Sequence, residues 1–496
     1  FWPGLTTSYR KDEAAIPFLQ PRVMGGGSSV MGMIALRGLP TDYDGWERAG
    51  AGNWGWRDVL PTFQAITDDL DEPAPNRNVR GPNMVRRLPR DSWPLYMRHL
   101  EKAVTACGAA LHQNIYQTDE DGFFPTPLSQ DHERATSARC YLTAQVRARE
   151  NLEIMCDTKV LRVAFDGARV AGVVVERGAQ TQTIAAREVV VSAGGIHSPA
   201  LLLRSGVGPA EDLSKLGIAV VADRRGVGRN YQNHPQLHFA MTLKPAGRMP
   251  TSAQHYIMTS QRFSSGLDGC GRGDLFHYYT GRVSTRSFGP RMAMVAACLY
   301  TPRSRGLVKL RSADPSVPPQ VEQRLLSDPL DAKRMVMSVR HAERLLLDPA
   351  VRQCFEEIYL MPRVAPLKLI NDVGLLGVTK AIGATAVLSA PARLRRAMIG
   401  AAIKPGRLIA DEKSTYPISD DDILHATGAS FHPASTCAIG AADDPLAVVD
   451  PSCRVYGVGG LRVADASVMP TIVSANTNMP TIMIAERVAE FMRRPQ

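Results

Sequence analysis

The chain of 496 residues and 54.0 kDa is too long for one simple core, which predicts two packed or interleaved domains. Its 44% hydrophobic and 21% charged residues exclude a disordered polymer and describe an ordinary globular protein. The formal charge of +10 raises nucleic acid, an anionic membrane surface or an acidic ligand as partners. The basic residues are nevertheless spread thinly, with no aromatic-interleaved run, which argues against nucleic acid and for a solvated surface.

Eight cysteines lie far apart with no C-x-x-C pair. This spacing argues against a disulfide framework or a zinc site, and a reducing, cytoplasmic setting is expected. No H-x-x-x-H or Cys/His spacing points to a metal, so none is expected. The sequence opens at Phe1 with neither a methionine nor a charged-then-apolar signal segment, so the natural start is expected to lie elsewhere.

In chain order, residues 24–32 read MGGGSSVMG, a turn whose backbone amides can approach a ligand closely. The segment DYDGWERAGAGNWGWRDVLPTF predicts a helix at each end with a turn between, and Asp68 to Pro75 predicts a surface loop. Gly50, Gly52 and Gly55 satisfy G-x-G-x-x-G on paper. They follow a polar helix-like segment instead of a buried strand, so a dinucleotide fingerprint is rejected there.

From Asn151 to Ala193 the runs LEIMC, VLRVAF, RVAGVVVE and TQTIAAREVVVSA predict a small meander ending in a buried strand. Gly194 and Gly195 follow. Ser198 is then expected as a helix N-cap, Pro199 at the first helical position and Gly206 at the close. Strand, glycine turn and helix make a corner suited to a phosphate or dinucleotide.

The middle, about Pro235 to Asp421, mixes strand-like and helical stretches with few chemical signals. Within it, Leu367 to Ile403 is apolar and basic with one acid, Asp372, but its longest uncharged run of about twelve residues is too short to span a bilayer. An interfacial element, a lid over the substrate and a core-packed helical hairpin all fit. The final segment predicts an amphipathic helix with Pro480 in its first turn, its positive N-terminus pointing toward Asn476 and Asn478.

His432 stands in ASFHPASTC and Asn476 at the mouth of the last helix. A histidine takes a proton near neutral pH, and a carboxamide holds a hydroxyl without adding charge, so the pair suits preparation of an alcohol for oxidation. Read singly, each is weak: a loop histidine is usually structural and an asparagine before a helix is usually a cap. His234 reads as a structural hydrogen-bonding residue and His197 as ordering a helix start. Ser430 lacks the second glycine of a G-x-S-x-G elbow, which disfavours a serine hydrolase.

Five ordered segments resemble the glucose-methanol-choline (GMC) oxidoreductases, in the branch with choline dehydrogenases and hydroxymethylfurfural oxidase. They are MGGGSSVMG with RGLPTDYDGW, VVVSAGGIHSPALLLRSGVGP, GVGRNYQNHP, HPASTC and GLRVADASVMPTIVSANTNMPTIMIAE. The resemblance implies an α/β fold: a discontinuous Rossmann-like FAD-binding domain (1–66, 134–234 and 443–496) and a substrate domain of mixed sheet and helices (67–133 and 235–442). It implies oxidation of a primary alcohol to an aldehyde by hydride transfer to flavin N5. His432 would be the base and Asn476 would hold the substrate oxygen.

By the same resemblance, Gly25, Gly26, Ser28 and Ser29 pass close to the flavin and pyrophosphate, and Val160 presents backbone to the adenine. Asp465 and Ala466 line the pyrophosphate and ribityl region. The helix end near Asn478 and Pro480 stabilises negative charge on the reduced ring. Implied partners are a small alcohol and an electron acceptor, oxygen or a quinone. A cytoplasmic protein, with peripheral membrane contact as a further option, is expected.

The sequence departs from the family at Met31, where asparagine or histidine is usual, at Gly195 for alanine, at Asn233 for aspartate and at Ser435 for glycine. The family's opening strand, G-x-G-x-x-G and helix do not occur, so poor FAD retention by this polypeptide alone is expected. A flavin-containing lyase of the hydroxynitrile type and a non-catalytic truncated homologue are the alternative readings.

Overall fold

The computed structural model describes residues 1–75, 77–249, 257–363, 374–404 and 406–493. Two large apolar cores organise it. One gathers Trp46, Trp54, Phe63, Leu202, Val463, Met479 and Ile484, drawn from both ends of the chain and from the helix-forming stretch around residue 202. The other gathers Tyr96, Phe239, Val295, Leu345 and Phe355. The mixed α/β architecture expected from the sequence is present.

The second core is built on an eight-stranded sheet. Its path runs Arg407–Asp411, Phe355–Leu360, Pro235–Leu243, Met292–Leu299, Leu275–Thr280, Ile257–Phe263 and Gly122–Pro125, with neighbours antiparallel, and Gly428–Ala429 pairs with the start of the Pro235–Leu243 strand. The helix Pro329–Leu346 covers this sheet through Met335, Val339, Ala342 and Leu345. Their spacing of three and four residues puts them on one helical face.

The first core contains a parallel pair, Val189–Val191 against Leu461–Val463. Both strands end at the same edge, where their following loops form a crevice of the kind in which open α/β sheets bind ligands. Beside it, Thr158–Asp166, Arg169–Arg177 and Gln180–Ala185 form an antiparallel meander. The first expected run, LEIMC, is not a strand, and Val189–Val191 leaves the meander for its parallel partner.

Two helices, Pro40–Arg48 and Trp56–Ile66, flank the loop holding Gly50, Gly52 and Gly55, in line with rejection of the fingerprint. Asp68 and Asp69 are not in a surface loop: Thr67–Asp69 is a buried strand, because Arg77 and Arg87 neutralise the two carboxylates at 2.6 and 2.7 Å. A buried carboxylate needs such a partner.

Of the stretch from Leu367 to Ile403, residues 367–373 lie outside the described residues. The remainder is a helical hairpin, Leu375–Ser389 and Ala392–Ala402, that buries Ala381, Leu388 and Ile403 against Ala240, Phe288 and Tyr359. Its outer face exposes Leu376 (65%) and Ile382 (61%), so the hairpin is only half committed to the core. Among the described residues no helix is long and apolar enough to cross a membrane.

Candidate active site

The crevice begins with Asp465, just past the Leu461–Val463 strand. Its carboxylate accepts hydrogen bonds from Gly194 N (2.8 Å), Ser198 Oγ (2.5 Å) and Ser467 N (2.8 Å), locking the two parallel strand ends together. The helix after the first strand starts at Gly194 with Ala193 at its N-cap, not at Pro199 with Ser198 as the cap. Gly194 takes φ +83°, which turns the chain directly into the helix. Ser198 Oγ then serves as a brace, accepting from Ala193 N at 2.9 Å.

Pro199 therefore sits inside the helix, where its missing N–H frees the carbonyl of Gly195. Thr436 Oγ1 donates to that carbonyl at 2.8 Å. The local defect thus becomes a tether to the loop that carries His432.

His432 owes its place to strand register. Pro235 pairs with Ala429, and Gln232 pairs with Ala434 through reciprocal N–H to carbonyl bonds of 3.1 Å. Between these two fixed pairings the antiparallel segments bring His432 opposite His234. Their Nδ1 atoms lie 2.9 Å apart, and His234 Nε2 lies 3.0 Å from the carbonyl of Val473. Asn233 Oδ1 accepts from His432 N at 3.1 Å.

Asn476 approaches from the other side, with Nδ2 3.2 Å from His432 Nε2 and Oδ1 accepting from the Tyr300 hydroxyl at 2.9 Å. The loop before it is anchored by the first signature. Asp42 accepts from Ser474 N (3.0 Å) and Ser474 Oγ (2.6 Å), and Trp46 Nε1 donates to Thr471 O at 2.9 Å. The buried tryptophan and half-buried aspartate of RGLPTDYDGW thereby position a residue more than four hundred positions downstream.

Burial pushes the His432 pKa down to about 4, so the imidazole is neutral and able to accept a proton at physiological pH. Burial, and secondarily His432, hold His234 well below the usual histidine value. Tyr300 is driven far above the usual phenol value by burial and stays a neutral donor.

His432, Asn476, Gly25, Gly26, Ser28, Asp465, Ala466 and Asn478 share the wall of one cavity of about 600 Å³. A second cavity of about 740 Å³, with Val160 in its wall, continues from it across Trp2, Ser192, Ala193 and His197. Two expected residues are not on either wall. Ser29 turns away to donate to Met24 O at 2.8 Å, and Pro480 is buried in the first turn of Asn478–Arg493. His234 and His197 read from the sequence as structural residues and no sequence signal marks Tyr300; His197 and Tyr300 line the first cavity.

The trough has the features of a dinucleotide site. A Cβ at Gly26, Gly27 or Gly194 would meet nothing within 4 Å, so bare backbone faces the cavity there. Asn478 Nδ2 and His197 Nε2, both on its wall, are buried without a hydrogen-bond partner. Buried polar atoms of this kind are normally satisfied, which marks the wall as built for a polar ligand.

Residues 4–236 match the N-terminal and 302–485 the C-terminal GMC oxidoreductase family model. The chain belongs to the GMC oxidoreductase family. It is 35% identical to 5-(hydroxymethyl)furfural oxidase of Methylovorus sp. (strain MP688), over 99% of this chain and 86% of that protein. It is 30% identical to oxygen-dependent choline dehydrogenase of Sinorhizobium medicae (strain WSM419), over 95% of this chain and 81% of that one. Its fold is similar to the crystal structure of pyridoxine 4-oxidase from Mesorbium loti, with a TM-score of 0.78 at 22% identity over 99% of this chain and 88% of that one.

As a GMC oxidoreductase the protein is an FAD-dependent flavoprotein of the class acting on CH–OH donors. The residues present fit that cofactor, since the glycine-lined trough runs from the His432–Asn476 pair to the meander that contains Val160.

One family departure carries a stability consequence. Ser435 adopts φ +73° and buries a hydroxyl with no partner, at a position where the resemblance has glycine. Ser435→Gly removes the left-handed strain and the unsatisfied group, and is expected to stabilise by about 1 kcal/mol net of the added chain entropy. Thermal melts should show a rise of roughly 1–3 °C; a fall would mean that the serine hydroxyl is satisfied in solution.

Proposed function

We propose that the protein oxidises a primary alcohol to its aldehyde, with His432 as the base and Asn476 as the group that holds the substrate oxygen. The carrying observation is the approach of His432 Nε2 and Asn476 Nδ2 to 3.2 Å on one cavity wall. FAD, when bound, supplies the acceptor for the hydride that leaves the carbinol carbon. Gly25, Gly26, Ser28, Asp465, Ala466 and Asn478 would hold its flavin half, and Val160 would face its adenine half.

An alcohol oxygen placed against both side chains donates its proton to His432 Nε2 and accepts from Asn476 Nδ2–H. As the O–H proton moves to the imidazole and the C–H hydride departs, the C–O bond becomes the aldehyde carbonyl. The amide keeps the oxygen oriented while negative charge builds on it, which costs no reorganisation. The names of the two relatives, a hydroxymethylfurfural oxidase and a choline dehydrogenase, support a CH₂OH substrate. We also read the two cores as the flavin domain (1–66, 134–234 and 443–496) and the substrate domain (67–133 and 235–442).

The base works only when neutral. With its pKa lowered to about 4, the imidazole gains a proton only as pH falls through that value. kcat/KM is therefore expected to stay level from neutral pH downward and to drop near pH 4. A drop already complete at pH 6 would place the essential base elsewhere.

Anaerobic mixing of the FAD-loaded protein with a panel of primary alcohols tests the reaction class. Bleaching of the oxidised flavin band with one aldehyde formed per flavin is expected. Full FAD occupancy with no bleaching by any alcohol, and cyanide release from a cyanohydrin, would establish the lyase alternative instead.

A further inference from the structure

We propose that His234 is a positioning residue that dictates which nitrogen of His432 is free to take the substrate proton. The proposal rests on His432 being the base, as read above.

A backbone carbonyl oxygen can only accept a hydrogen bond. The Val473 carbonyl lies 3.0 Å from His234 Nε2, so that nitrogen carries the hydrogen. A neutral imidazole has one N–H, which leaves His234 Nδ1 as a bare acceptor. It faces His432 Nδ1 at 2.9 Å, so the hydrogen between them belongs to His432. His432 Nε2 is then left with its lone pair, directed at Asn476 Nδ2 and the cavity.

The far end agrees. Tyr300, a neutral phenol, donates to Asn476 Oδ1 at 2.9 Å, which fixes the amide with its NH₂ toward His432. From Tyr300 through Asn476, His432 and His234 to Val473, every donor meets an acceptor. The other tautomer of His432 would set two lone pairs against each other at Nδ1 and two donors at Nε2, so the surroundings reject it.

Packing holds the relay in place. The His234 ring is fully buried and lies flat on Tyr300 (centroids 4.4 Å apart, planes at 25°), and Tyr300 lies on Phe276 (4.5 Å, 10°). The register that pairs Gln232 with Ala434 and Pro235 with Ala429 sets the two imidazoles opposite each other.

The relay also sets the charge of the dyad. The ionisable groups around it are Tyr300, Tyr278, His197 and Asp465, all on the cavity wall, and the Asp465 carboxylate is already engaged by Gly194, Ser198 and Ser467. Among the described residues neither imidazole has a carboxylate partner. A neutral histidine in that role orients the base without raising its proton affinity, as an aspartate would.

Nitrogen-15 NMR of histidine-labelled protein reads the tautomers without substrate turnover. The wild type is expected to show His432 protonated at Nδ1 with a bare Nε2, and His234 protonated at Nε2. His234→Phe keeps a ring against Tyr300 but removes the acceptor. It should mix the His432 tautomers and lower kcat by about 10- to 100-fold with KM little changed, while His234→Gln, whose amide oxygen can accept, restores part of the loss. His234→Asp should raise the acid limb of kcat/KM by about one pH unit or more.

His432 protonated at Nε2 in the wild type would overturn the proposal. So would a His234→Phe protein, FAD-loaded, with unchanged tautomer and kcat. Should His234→Phe not fold, the wild-type spectrum alone decides. If the tautomers are as stated but His432→Ala retains full activity, the base assignment fails while the positioning relation stands.

Discussion

Replacing His432 by alanine is expected to lower kcat/KM for an alcohol by about 10²- to 10⁴-fold, the range general-base groups supply. The FAD content should not change, because His432 is held by His234, Asn233 and Asn476 and anchors no strand. The Gln232–Ala434 bridge and the Ser435 N to Ala466 O bond (3.0 Å) keep the loop in place without the imidazole. Steady-state kinetics on proteins matched for flavin absorbance check this, and added imidazole should restore part of the rate. Loss of flavin together with activity would instead make His432 a cofactor-retaining residue.

Gly195→Ala should be nearly as damaging although residue 195 performs no chemistry. An added Cβ would lie 2.2 Å from Pro433 O, 2.6 Å from its carbonyl carbon and 3.0 Å from Ala434 N. These are backbone atoms of the residues that follow His432, and they cannot rotate away as a side chain would. Retreat is blocked on the far side, where Gln232 and Ala434 exchange two hydrogen bonds and Cys437 N donates to Ser467 O at 2.7 Å. The loop must shift, and a displacement of about 1 Å at a reacting group costs on the order of 10²-fold. The family's more usual alanine therefore cannot be grafted here without moving the base. kcat within a factor of about three of wild type would mean that the helix and loop separate readily.

Much of this was legible in the sequence, for definable reasons. The helices flanking GAGNWG, the terminal helix and the glycine turn at Gly194 follow from local capping and periodicity. His432 and Asn476 are weak signals read singly and stand out through the resemblance of the ordered segments that carry them, and the structure sets them 3.2 Å apart.

What was missed depended on distant partners. His234 looked structural because the strand register that sets it against His432 joins residues 198 positions apart. Tyr300 sits in a strand-rich middle where alternation reveals burial but not which side chain meets Asn476. Ser198 and Pro199 gave a convincing cap signal, yet Gly194 starts the helix earlier, with Asp465 and Thr436 taking up the groups left over. Asp68 and Asp69 read as a loop because their neutralising arginines lie 9 and 18 residues on.

The most direct test of the account is a double-mutant cycle on the anaerobic rate of flavin reduction, using His432→Ala, Asn476→Ala and the combined protein, all FAD-loaded. If imidazole and amide act on one substrate oxygen, each single change slows reduction and the double variant is hardly slower than His432→Ala, a coupling of about 1–3 kcal/mol. Losses that simply multiply, or wild-type flavin that no alcohol reduces, would contradict it.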